Sequence, residues 1–350
     1  MALQLRKSSF ANSRRLAFVL LLMLIGITIS GCSTDPETSL IPTTNSSPTA
    51  TATAAVEEPA AAAVTPTKAR SSVYLSHVPA ELPPDQEDPA TPAATASPQP
   101  TPTLSPDAWQ SMPVIPTLSP RALAILQDGL ARGRDSRVFA KIGDCESQTE
   151  WFLDPFDHGA DSYSLGPYQE ELQPVIDYYQ GSFDRNSLAA RQGFTAASLL
   201  SPIWADQQQC EKNETPLACE YRVSNASVAF IMLGTNDAVN PKTFEKHMRK
   251  VIEYTIEQGV LPVLGTKADN IEGDHAINAT IARLAYEYDI PMWNYWLAVQ
   301  NLPDRGLQED GSHLTYAGPF FDSPRAMEKA WPVRNLNALQ VLRVIMDQVE

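Results

Sequence analysis

The chain has 350 residues, with 26 basic and 41 acidic side chains and a formal net charge of −15 at pH 7. That balance repels nucleic acid and anionic head groups, so nucleic acid is not an expected partner. Of the 29 prolines, 16 fall between residues 33 and 118, which leaves residues 119–350 to form one domain with a sizeable core.

The N-terminus reads as an export signal. Arg6, Lys7, Arg14 and Arg15 precede an apolar run from Leu16 to Ile29, followed by Ser30-Gly31-Cys32. A basic region, a short apolar region and small residues before a cut describe a secretory leader. The run is short for a membrane span. Ile29-Ser30-Gly31-Cys32 resembles a bacterial lipobox, which implies cleavage before Cys32 and lipidation of its thiol. An uncleaved N-terminal anchor is the competing reading. Either way the remainder is expected outside the cytoplasm, in the cell envelope and tethered to a membrane, with several acyl chains needed for a stable hold. The leader carries four basic and no acidic residues, so its removal makes the mature chain more acidic still.

Residues 32–118 follow as a Pro/Thr/Ala-rich stretch without apolar periodicity. Such a segment cannot bury enough surface to offset its chain entropy and is expected to be a disordered stalk. Ser119-Pro120 then opens a helix to about Arg132, with Ser as cap and Pro in the first turn. Val138–Ile142 is a short strand, residues 151–167 a long loop, and Pro167–Tyr179 a helix. Leu188–Gln192 is a weak strand ending at Gly193. Val228–Leu233 is an apolar run of the kind buried on both faces of a sheet. Thr243–Gln258 is a helix. Val260–Leu264 is a second buried strand, in which Pro262 is unexpected. Ala276–Tyr288 is a helix, Ile290–Trp293 a strand and Leu336–Val349 a closing helix. Strands alternating with helices predict an α/β domain, a parallel sheet between helix layers with right-handed crossovers.

There are four cysteines. Cys32 is assigned to lipid. Cys210 and Cys219 lie close together in a polar segment, and in an oxidising compartment they are expected to form a disulfide. A metal pair is disfavoured because no His or further Cys is near. Cys145 is then left alone, although pairing of Cys145 with Cys210 or Cys219 stays open.

Four segments carry the chemistry: Gly143-Asp144-Cys145-Glu146-Ser147, Gly193, Gly234-Thr235-Asn236-Asp237, and Asp310-Gly311-Ser312-His313. In this order they resemble the four blocks of the SGNH (GDSL-type) hydrolases, over roughly residues 137–316. One position departs from the pattern: Cys145 stands where the family has its nucleophilic Ser. The resemblance implies a three-layer α/β/α domain with a flavodoxin-like parallel sheet of about five strands. It implies Cys145, Asp310 and His313 as nucleophile, orienting carboxylate and base. It also implies the backbone N–H groups of Cys145 and Gly193 and the Asn236 amide as oxyanion donors. Three of these elements fall just after strands, where ligand crevices of open α/β sheets lie.

The remaining candidates are weaker. Asp144 is read as structural, and Ser147 as too far displaced to replace the nucleophile. Lys267 and Asp269 either reach the crevice as substrate contacts or pair to cap a strand. His158 is a candidate for the rim. Trp293, Tyr295 and Trp296 form either a sugar-stacking wall or core. No metal or cofactor is implied, and the protein is expected to be monomeric.

A thiol beside an imidazole can ionise to a strong nucleophile, so Cys for Ser does not by itself abolish acyl transfer. Sulfur is larger and leaves more easily. Two expectations follow: a Cys-dependent acyl-ester hydrolase or acyltransferase, acting on surface-glycan O-acyl groups, or a lipoprotein of the same fold that binds a glycan or acyl ligand with little turnover.

Overall fold

The computed structural model describes residues 104–148 and 150–349. The leader, Cys32 and the Pro-rich stretch as far as residue 103 lie outside the described residues.

Four parallel strands, β1 (Asp135–Gly143), β2 (Ala226–Met232), β3 (Leu261–Gly265) and β4 (Met292–Trp293), lie side by side in that order. Every residue of β2 and β3 is buried, which is why both read as unbroken apolar runs. The expected count was about five. The segment Leu188–Gln192 supplies only one bridge, Ala190 to Gly143, on the free side of β1. The Ala189 carbonyl and the Arg191 N–H bond Gly143 at 3.0 and 3.2 Å, but the Ala189 N–H, the next donor facing β1, goes to Ser187 Oγ at 3.0 Å, so the ladder stops there. With Ala190 in its place, the chain passes first to one side of β1 and then to the other. β1 is therefore the switch point of the sheet, and its carboxyl end opens on the crevice.

The helices are α1 (Pro120–Ala131), α2 (Cys145–Gln148), α3 (Gln169–Tyr178), α4 (Pro216–Ser224), α5 (Pro241–Glu257), α6 (Ala276–Tyr288), α7 (Tyr295–Val299), α8 (Pro324–Met327) and α9 (Ala330–Met346). Of these, α1, α3, α5, α6 and α9 match the five expected from the sequence, with α9 starting earlier, and α2, α4, α7 and α8 were not foreseen. Ser119 caps α1 as expected, accepting the Ala122 N–H at 3.1 Å. α4, α5 and α6 connect strands that succeed one another in a single direction, so right-handed crossovers put them on one face. α3 runs between β1 and Ala190, the opposite direction, and packs on α9 on the other face. The result is the three-layer α/β/α arrangement. Between the sheet and α3/α9 sits an aromatic core: Phe139 meets Phe183 at 5.3 Å and Phe230 at 5.9 Å, and Phe230 meets Trp293 at 5.7 Å.

Pro262 is tolerated within a central strand because of where its nitrogen points. The N–H groups of Leu264 and Thr266 face β4, bonding the carbonyls of Pro291 and Trp293 at 3.0 Å each. Position 262 faces the same side, but β4 pairs only with Leu264 and Gly265. The missing donor costs no ladder bond.

The folded domain begins earlier than residue 119. Leu104, Met112, Val114, Ile115 and Leu118 pack on the core, and Trp109 is 1% exposed. Trp109 meets Trp296 at 4.9 Å. Its carbonyl accepts the Asn294 side-chain amide at 2.7 Å, and the Val114 carbonyl accepts the Asn294 backbone N–H at 3.1 Å. Proline-rich composition hid this strap, since a single anchoring Trp leaves no periodic signal. No helix among the described residues is long and apolar enough to cross a membrane.

Candidate active site

Each motif block sits on a turn at the carboxyl end of the sheet, and hydrogen bonds between neighbouring turns bring all four together. Cys145 opens the short helix α2 directly after β1, and it is partly exposed with a free thiol. Asp144 holds this turn: its carbonyl accepts the N–H groups of Ser147 and Gln148, and its Oδ1 accepts that of Glu146 at 3.1 Å. Gly143 has no room for a side chain, because a Cβ there would collide with Ser147 Oγ and the Met232 carbonyl. Ser147 is 1% exposed and faces that glycine, which removes it as a nucleophile.

Gln148 joins α2 to the Gly193 turn through the Gln192 N–H. Gly193 has φ +80°, a conformation that favours glycine, and the space a Cβ would occupy is open. The Asn236 amide donates to the Phe194 carbonyl at 3.0 Å, which leaves its second N–H for a ligand oxygen. Asp237 accepts the Ala196 N–H at 3.2 Å, and burial lifts its carboxyl to about 6. The third and second blocks are thereby locked to one another.

The Asp310–His313 turn completes the set. Asp310 Oδ2 lies 2.6 Å from His313 Nδ1, and its Oδ1 accepts the backbone N–H groups of Ser312 and His313 at 3.0 Å each. Nε2 is then the ring nitrogen left for a reacting group. These bonds hold the Asp310 carboxyl down at about 2, and the same carboxylate raises the His313 pKa. The pair is exposed, with 56% of the His313 and 49% of the Asp310 side chain accessible. Glu146, beside Cys145, accepts the N–H of Leu314, beside His313, at 3.0 Å.

The electrostatics around sulfur differ from the sequence expectation of an ionised thiol. Burial, then the charges of Asp144 and Glu146, push the Cys145 thiol up to about 11. Burial also lifts Asp144 to about 6 and Glu146 to about 7. A thiol at about 11 is ionised in roughly one molecule in ten thousand at neutral pH. At that value the neutral thiol predominates, and a base acting as the bond forms is the route that uses this sulfur.

The readings left open for the weaker candidates now resolve. Lys267 and Asp269 form the salt-bridged pair and do not reach the crevice as substrate contacts: both are buried, and Lys267 Nζ bonds Asp269 Oδ1 at 2.5 Å and Glu272 Oε2 at 2.6 Å. Asp269 Oδ2 accepts from Thr235 Oγ1 at 2.7 Å, so the pair supports the Asn236 turn. His158 is exposed, and its carbonyl receives Ser162 Oγ at 3.4 Å, while its side chain shows no bond to any motif turn among the described residues. Trp293 and Tyr295 are core, at 0% and 1% exposure.

Cys210 and Cys219 are joined, with Cα atoms 5.3 Å apart. Among the described residues the one group of metal-binding side chains within mutual reach is Cys210, Glu214 and Cys219, and its two sulfurs are bonded to each other.

Sequence reasoning missed the residues that tie the turns, Glu146, Gln148, Thr235 and Arg334. Arg334 shares α9 with Asn335, Asn337, Gln340 and Arg343 and precedes the predicted closing helix, so no sequence signal marked it. Arg334 is 1% exposed, donates to Glu146 Oε2 at 3.1 Å and lies over the Phe152 ring at 4.3 Å. Asp144, Glu146, Thr235, Lys267 and Arg334 line a small, partly open cavity of about 20 Å³, room for a single water. A groove of about 540 Å³ between the strap and α6 contains none of the motif residues.

No protein-family model and no curated protein sequence matches the chain. Solved structures similar to it include one titled as a putative lipolytic protein of G-D-S-L family from Desulfitobacterium hafniense DCB-2 and one of TesA. The first shares 13% identity with a TM-score of 0.35, the second 16% with 0.37, and each comparison covers 59% of this chain and 99% of the other. At such scores neither likeness bears on function, and the α/β/α arrangement rests on the strand order and helix packing above.

Proposed function

We propose that the protein is an extracytoplasmic, lipid-anchored acyl-ester hydrolase or acyltransferase of the SGNH type, with Cys145 as nucleophile and O-acyl groups of surface glycans as substrate. The observation that carries this reading is the Asp310–His313 pair joined through Glu146 to the Cys145 helix. A carboxylate that orients His Nδ1 leaves Nε2 to take a proton.

In the reaction, His313 Nε2 takes the Cys145 proton as sulfur bonds the ester carbonyl carbon. The carbonyl π pair moves to oxygen, which the N–H groups of Cys145, Gly193 and Asn236 receive. Collapse breaks the carbon–oxygen bond, the leaving alcohol takes the proton from His313, and a thioester remains. Water, or an acceptor alcohol in the transferase case, then gives its proton to His313 as its oxygen bonds the thioester carbon. Collapse breaks the carbon–sulfur bond, sulfur takes the proton back from His313, and the free acid or new ester leaves with the thiol restored.

The high thiol pKa favours a second reading, a ligand-binding lipoprotein with little turnover. Three chains separate the two: native, Cys145→Ala and Cys145→Ser, assayed on small activated acetyl esters. The enzyme reading expects turnover by the native chain and none by the Ala variant. If the site is still shaped for oxygen, the Ser variant is as fast or faster. If neither native nor Ser chain turns over a broad ester panel while folded, the binding reading stands. Lipidation is checked separately, by mass measurement of the mature N-terminus at Cys32.

A further inference from the structure

We infer that Glu146 is a positioning residue that sets the distance between Cys145 and His313. The inference rests on the reading of those two residues as nucleophile and base. Glu146 follows the nucleophile position in sequence, and its Oε1 accepts the N–H of Leu314, which follows the base. One carboxylate thus spans the two reacting residues through their immediate neighbours.

The other contacts of the His313 turn run elsewhere. The Gln308 N–H bonds the His313 carbonyl at 2.8 Å and Gln308 Nε2 the Leu314 carbonyl at 2.7 Å. Thr315 bonds the Gly306 carbonyl and accepts the Ala330 N–H at 3.0 Å. Those bonds fasten the turn to itself and to the start of α9, and the bond across to α2 is made by Glu146. The far side of the carboxylate is anchored as well. Oε2 meets Arg334 Nη1, and Arg334 is wedged among Phe152, Trp331 at 5.1 Å and Tyr295 at 5.7 Å. A guanidinium so enclosed cannot swing to follow a displaced partner. Glu146 therefore joins α2, the His313 turn and α9 at a single point.

The test reads spacing independently of activity. In the full chain carrying Cys32→Ser and His313→Cys, positions 145 and 313 both hold thiols, and dibromobimane fluoresces when it links two. The rate of linking is taken relative to single-thiol labelling of Cys145, because removing the Glu146 charge also changes the thiol's reactivity. Adding Glu146→Ala should lower that ratio about tenfold, and Glu146→Gln, which keeps an acceptor for the Leu314 N–H, should stay within about threefold. In the chain with His313 intact, Glu146→Ala should lower kcat about tenfold at unchanged KM, with Gln restoring most of it. A linking ratio unaltered by Glu146→Ala in a folded protein overturns the inference. If Glu146→Ala does not fold, Glu146→Asp, still charged but one methylene shorter, replaces it, and an unchanged ratio there counts equally against. Absence of turnover in native and Cys145→Ser chains would sink the enzyme reading while the linking ratio still decides the spacing.

Discussion

His313 accepts a proton only when neutral, and Asp310 works against neutrality by raising the ring's pKa. The sign for activity follows. Below the raised pKa the ring is charged and idle, so kcat/KM should climb as pH rises through it, above the ordinary His value near 6.5. Asp310→Asn should move that limb to lower pH and cut kcat by about 100-fold or more, because the ring loses both its charge partner and its orientation. A limb that stays in place would show that Asp310 does not tune the base. The blocks around Cys145, Gly193, Asn236 and His313 were legible in sequence because each requires one residue type at one offset. Glu146 was not, since a carboxylate beside a nucleophile looks the same in sequence whether it faces water or bonds Leu314. The raised thiol was equally hidden, as it comes from burial and from two charges whose distances only the fold sets.

At the scale of elements, α9 delivers a buried cation beneath α2. Arg334 offsets the charge on Glu146, and removing one partner of such a pair strands the other. Arg334→Met should cost about 3 kcal/mol at pH 8 in urea unfolding. The cost should shrink near pH 5, where Glu146, lifted to about 7, is already protonated. For the native chain the same carboxyl makes stability fall as pH rises from about 4.5 toward 7. The folded state holds the proton longer than the unfolded one, so raising pH favours unfolding. Glu146→Gln should flatten that slope, and an unchanged slope would mean that the carboxyl is not held neutral by burial. Strands β2 and β3 could be read directly because burial on both faces demands continuous apolar sequence. The short segment at Ala190 could not, since its pairing ends where the Ala189 N–H turns to Ser187 Oγ, a local choice that residue types do not reveal.

The whole molecule depends on a segment that composition assigned to the stalk. Trp109→Ala should destabilise the domain by about 3–5 kcal/mol in thermal or denaturant unfolding, whereas a true stalk residue would be neutral. Reducing the Cys210–Cys219 bond should remove about 2–3 kcal/mol, the loop-closure contribution for so short a ring. The strap has a further consequence. β4 is the last strand of the sheet, and an uncovered edge is a template on which another chain can add a strand. The Asn294 N–H, on the outward side just past β4, is already taken by the Val114 carbonyl. The N-terminal extension thus occupies the place where a neighbouring molecule would dock its own backbone. That makes residues 104–118 a built-in guard against self-association. A chain starting at residue 119 should sediment as concentration-dependent oligomers, while one starting at 104 should stay monomeric.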